Sequence, residues 1–118
     1  TLAARKYTCA NEISDAEGVK KTVREGDKDV YQFVKPANEQ DFQTLKQCTQ
    51  EGLQLIDRAV KLAPNSDSAW SYNANLLAQK ARIAEMEGNK AEEDQFKAQA
   101  NEAKEKFTAL NEERKKRE

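Results

Sequence analysis

The sequence predicts an all-α fold of about four helices in two antiparallel pairs, with a loop or small hairpin inserted between the first two helices. Three observations carry this. First, Ala, Glu, Lys, Gln and Leu dominate the 118 residues, interrupted by only four glycines and two prolines, so most of the chain loses little rotamer freedom on becoming helical. Second, apolar residues before Pro64 recur at Gly52, Ile56, Ala59 and Leu62, steps that place them on one helical face, and Ala69, Trp70, Leu76 and Leu77 resume helical spacing after it. Third, Pro64-Asn65 marks the break between these runs. Proline lacks an N–H and disfavours helical dihedrals at Ala63, and Asn65 or Ser66 can cap the helix that follows.

The elements follow in order. Residues 2–15 form the first helical candidate, with Leu2, Ala3, Tyr7, Ala10 and Ile13 as its stripe. Residues 16–40 form the insertion. Glu25-Gly26-Asp27 is a turn signal, and Thr22-Val23 and Val30 to Val34 on either side are rich in β-formers, so a short hairpin or ordered loop is expected, with a single helical turn at 29–34 as the alternative. Val30, Tyr31, Phe33 and Val34 are too apolar a set to hang free, and are expected either to pack on the helices or to form part of a contact surface. Asn38 or Asp41 can cap a second helix at about 41–63, whose buried side reads Phe42, Leu45, Cys48, Gly52, Leu55, Ile56, Ala59 and Leu62. A third helix spans about 67–87, stopped by Gly88 as a left-handed cap residue. Asn89 then caps a fourth helix, about 89–116, in which Phe96, Ala100, Ala103, Phe107 and Leu110 form one seam facing one neighbour. The remaining NEERKKRE reads as a solvated helix end, with cations favourable near the negative pole of the dipole.

Charge and chemistry narrow the function classes. Net charge is −1 with 35% charged residues, so no global field draws nucleic acid or an anionic membrane. No apolar run approaches the roughly 18 residues of a membrane-spanning helix. The chain starts at Thr1 rather than Met, which reads as a trimmed or mature piece, so the absence of a visible leader carries no weight. There is no histidine, hence no imidazole base, no Ser-His or Cys-His pair and no histidine metal ligand. No Gly-rich phosphate loop is present, and EGDKD at 25–29 lacks the ligand spacing of a calcium loop. Glu92-Glu93-Asp94 sits at a helix start, where negative charge is favoured without any catalytic role. No enzyme activity and no cofactor are therefore expected. Cys9 and Cys48 lie far apart outside any CxxC arrangement; they read either as two buried thiols on helix faces or as one bridge between the first and second helices, the latter implying an oxidising compartment.

Across residues 42–80, small Gly52, bulky Ile56, small Ala59, Leu62 and Pro64, followed by aromatic Trp70, small Ala74 and large Leu77, resemble a tetratricopeptide repeat, whose helix pairs recur with a period of about 34 residues. Asn73 departs from the pattern, where the family usually has Leu. The resemblance implies that Trp70 packs within a helix pair. It also implies that the first helices of successive pairs line a groove for a peptide or partner helix, with Ser68, Ser71, Asn75, Ala78 and Gln79 facing it. Some members use an Asn at the position of Asn75 to hold a peptide backbone or a C-terminal carboxylate, together with a Lys four residues earlier. This chain has Ser71 there, which argues against a carboxylate clamp.

The expected function is a non-catalytic protein-interaction scaffold, with no nucleic-acid partner. The alternative is a self-associating structural domain of a larger bacterial assembly, a homo-oligomer in which the fourth helix pairs with a second copy. Family members occur both in the bacterial cell envelope and in the cytoplasm, so the compartment stays open.

Overall fold

The computed structural model describes residues 2–117. In chain order these form α1 (Leu2–Ser14), β1 (Lys20–Glu25), β2 (Lys28–Phe33), α2 (Glu39–Leu62), α3 (Asp67–Met86) and α4 (Lys90–Lys116). The four helices fall close to the expected boundaries. The insertion is an antiparallel hairpin, so the fold is mostly helical but not purely α.

The hairpin follows from its turn. Glu25 pairs with Lys28, leaving Gly26 and Asp27 as a two-residue loop. Gly26 has φ +60° while Asp27 keeps a negative φ, the type II′ arrangement that matches the twist of paired strands. Only the base of the hairpin reaches the core. Val19 and Phe33 are buried, the Phe33 N–H donates to Glu85 Oε2 on α3 at 3.0 Å, and Arg82 lies 4.3 Å from the centre of the Phe33 ring. Tyr31, expected in the same packed or contact set, is 62% exposed, its ring covered on one face by the Lys20 ammonium at 4.1 Å.

Every helix after the hairpin has the side-chain cap its sequence offers. Asn38 accepts from the Gln40 N–H at 2.8 Å, Ser66 from the Ala69 N–H at 3.3 Å, and Asn89 from the Glu92 N–H at 3.1 Å. Gly88, at φ +74°, closes α3.

Two apolar clusters hold the helices together. One joins Ala10, Val19, Phe33, Phe42, Leu45, Cys48, Ile83 and Met86; the other joins Ala3, Leu53, Ile56, Ala69 and Leu76. Gly52 sits where α1, α2 and α3 converge. A Cβ there would lie 2.9 Å from Leu76 Cδ2 and 3.1 Å from Lys6 Cβ, so the absent side chain sets how closely the three helices approach. Helix α4 packs chiefly along α3, burying Ala103 and half-burying Phe96, Ala100, Phe107 and Leu110. Among the described residues no helix is long and apolar enough to cross a membrane.

Three packing expectations need correction. Leu62 is 87% exposed and Leu2 55% exposed. The register between α1 and α2 is set by Cys9 against Cys48 and by the Lys6–Glu51 ion pair at 2.7 Å, which brings the start of α1 level with the region of Ile56 and leaves the last turn of α2 uncovered. Trp70 is only half-buried and stands outside both clusters; Ala69 joins the buried cluster with Ile56 in its place. The indole N–H of Trp70 donates to the Pro64 carbonyl at 2.8 Å, and the Lys106 ammonium lies 4.9 Å from the ring centre, so the ring bridges the helix turn and α4.

Candidate functional site

The two cysteines are bridged. Cys9 and Cys48 form a disulfide with their Cα atoms 6.2 Å apart, tying the middle of α1 to α2. The tie is reinforced one turn away by Lys6 and Glu51. Hydrogen bonds from Lys6 and then Gln47 hold the Glu51 carboxyl below its ordinary pKa.

Helix α1 also meets α3, and here the interface is polar. Ser14 Oγ donates to Gln79 Oε1 at 2.8 Å, and Gln79 Nε2 donates to Asn11 Oδ1 at 3.1 Å. One guanidinium nitrogen of Arg82 reaches Ser14 Oγ at 2.9 Å and Asn11 Oδ1 at 3.3 Å, with Asp15 at 3.8 Å. Ser14 and Gln79 are essentially fully buried. Gln79 is therefore not a groove residue open to a partner. A long amide on the face of α3 that meets α1 is drawn into the interface because both of its polar ends find partners there.

Toward the N-terminal ends of α1 and α3 the same interface opens. Ser68, Ser71 and Asn75 line a surface cleft of about 490 Å³ together with Ala4, Tyr7 and Thr8 of α1, Tyr72 of α3 and Phe107 of α4. Three of the five residues assigned to the groove thus come together, and Ala78 lines a neighbouring cleft under the hairpin with Tyr31 and Phe33. The side chains of Tyr7, Ser68, Ser71, Tyr72 and Asn75 hydrogen-bond to no other described residue. The α1 and α4 contributors are not assigned to a groove from the sequence. Tyr7 and Phe107 appear there only as apolar positions of their own helices, and nothing in their spacing says that both end beside Asn75.

A second depression, about 520 Å³, lies on the opposite side of α3, between α2 and α4, which both pack on α3 but scarcely on each other. Its lining mixes Leu53, Leu77, Trp70 and Phe96 with Asp57, Lys61 and Lys80. Asn73, the departure from the repeat pattern, is buried at its edge and donates to Asp57 Oδ1 at 3.4 Å.

Two acidic groups at the start of α4 are engaged as structure. Glu93 is buried and pairs with Lys97 at 2.6 Å, while Asp94 pairs with Lys90 at 3.1 Å and raises the pKa of that ammonium. The EGDKD stretch is the hairpin turn.

The sequence matches no family model, no curated protein and no solved structure in comparison with known proteins.

Proposed function

We propose that this chain is a non-catalytic protein-interaction scaffold of tetratricopeptide type, and that the cleft between α1, α3 and α4 receives a peptide or partner helix. The observation that carries the reading is the cleft itself: Ser68, Ser71 and Asn75, three of the five positions the repeat register assigns to a groove, lie beside Tyr7 and Thr8 of α1 with side chains that hydrogen-bond to no other described residue. The order of packing, α1 on α2, α3 on both, α4 on α3, supports it, as does the close approach of Leu76 to Gly52 across the Pro64 turn. Binding regions in proteins are commonly such concave surfaces, with a few directional polar groups among apolar ones.

Self-association through the fourth helix has less to rest on. Phe96, Ala100, Ala103, Phe107 and Leu110 face α3 of the same chain, so a second copy would need another face of α4.

Panning a randomised peptide display library on the immobilised protein tests the proposal. A family of related peptides is expected to be enriched, and to be lost on Asn75→Arg, which fills the cleft, while circular dichroism shows unchanged helicity. Ala109→Arg on the outer face of α4 serves as the control. No enrichment, or enrichment indifferent to Asn75→Arg, overturns the reading.

A further inference from the structure

The chain has 41 charged residues among its 118, yet none of the eight described residues lining the α1–α3–α4 cleft is charged. Four other surface clefts differ. The α2–α4 depression has Asp57, Lys61 and Lys80; its continuation has Lys46, Lys80, Glu87 and Glu92; the outer face of α4 has Lys104, Glu105 and Glu112; the cleft under the hairpin has Arg82, Glu85 and Lys97. Three charged sequence neighbours of the cleft are engaged elsewhere: Lys6 is paired with Glu51 at 2.7 Å and Asp67 with Arg114 at 3.0 Å, and Lys106 is held over Trp70. What the cleft offers is hydroxyls, one carboxamide and three aromatic rings.

From this we infer that the occupant is an uncharged polar polypeptide segment, recognised through backbone and side-chain amide or hydroxyl groups, and not anchored by a carboxylate or an ammonium. The inference rests on the proposed function and adds the chemistry of the partner. A charged side chain entering the cleft would give up hydration without meeting a counter-charge, an uncompensated cost. An uncharged amide or hydroxyl exchanges water for Ser71, Asn75 or a tyrosine hydroxyl at little net cost. The tyrosine and phenylalanine rings supply apolar contact without fixing a charge preference. Two consequences follow. Affinity is insensitive to salt, since no ion pair forms for salt to screen. Affinity is equally insensitive to whether the peptide ends in a free carboxylate or an amide.

The experiment uses three degenerate decapeptide pools against the immobilised full chain, with retained peptides quantified by mass spectrometry. One pool is built from Ser, Thr, Asn, Gln, Gly, Ala and Tyr; the second has Asp or Glu at every third position; the third has Lys or Arg there. The uncharged pool is expected to be retained about tenfold over either charged pool, the discrimination that an uncompensated charge produces. Its retention should be unchanged between about 0.05 and 0.5 M salt, a range over which surface ion pairs weaken substantially, and unchanged by C-terminal amidation. Asn75→Arg should abolish retention of the uncharged pool and shift preference toward the acidic one. The milder Asn75→Ala, which cannot clash, should weaken it without that shift. Preferential retention of a charged pool that is blocked by Asn75→Arg, or loss of retention with salt, overturns the inference and leaves the scaffold reading standing. No retention of any pool sinks both.

Discussion

Asn75 and Gln79 stand one turn apart on α3, both on the side that α1 approaches, and the two positions have opposite fates. Gln79 is buried in a closed set of hydrogen bonds with Ser14, Asn11 and, through them, Arg82. Asn75 opens into a cleft in which neither it nor Ser71 has an internal partner. The helix is the same and the side chains differ by one methylene. What differs is where each side chain lies: Gln79 is buried against Ser14 and Asn11 of α1, whereas Asn75 is exposed at a surface cleft. The two helices run in the same direction and are clasped at Ser14 and Arg82. A polar residue on the α1 side of α3 is therefore structural or free for a partner according to whether α1 places polar partners against it.

The largest expected effect concerns α1, which contributes to both regions. Replacing Cys9 and Cys48 together by Ala removes a cross-link between positions 39 residues apart; loop-closure entropy alone predicts a loss of about 4 kcal/mol in urea unfolding. Amides of both halves of α1 should lose exchange protection together. If stability falls by less than about 1 kcal/mol, α1 is held by packing and polar bonds, and the bridge is incidental to the comparison.

Next comes Gln79 against Asn75. Gln79→Ala leaves Ser14 and Asn11 in a buried interface without their partner and opens a cavity, so about 3 kcal/mol should be lost. Asn75→Ala should shift stability by no more than about 0.5 kcal/mol. Comparable losses at the two sites would mean that the cleft is not open in solution.

Gly52→Ala sharpens the packing side. The new Cβ must displace Leu76, which is fully buried, and press on Lys6. A loss of about 2 kcal/mol is expected, in the range for overpacking a tight contact, and displacement of Lys6 and Leu76 should also lower peptide retention in the cleft. The smallest effect is at Glu51. Its folded pKa is lowered by Lys6 and Gln47, so its contribution is present above the unfolded pKa and fades as pH falls through the folded value. The stability difference between wild type and Glu51→Gln should therefore narrow on acidification below the usual carboxylate range. A difference that stays constant through that range would mean that the pair contributes nothing to holding α1.

Much of the local structure was legible. Helix starts at Asn38, Ser66 and Asn89, and stops at Pro64 and Gly88, are signalled by side-chain chemistry acting within a few residues. The hairpin turn was equally local, since Gly26 supplies the positive φ that its loop needs. Of the groove set, Ser68, Ser71 and Asn75 met in one cleft while Gln79 did not. Helical register says which side of α3 a residue occupies, but not the distance to the next helix. Trp70 failed for a related reason. The repeat resemblance implied a packed position, but Ala69 beside it joins the buried cluster that holds Ile56, and the indole hydrogen-bonds to the Pro64 carbonyl instead.

Periodicity, caps and breakers alone thus determined four helical segments and the turn between strands, because each depends on groups within about one helical turn of one another. The tertiary structure decided that Cys9 and Cys48 are joined, that Gln79 is sealed and Asn75 open, and that Tyr7 and Phe107 share a cleft with Ser71. Those outcomes depend on contacts between helices far apart in sequence: the close approach at Gly52, the disulfide and the polar clasp at Ser14, and no single stretch of chain contains all three.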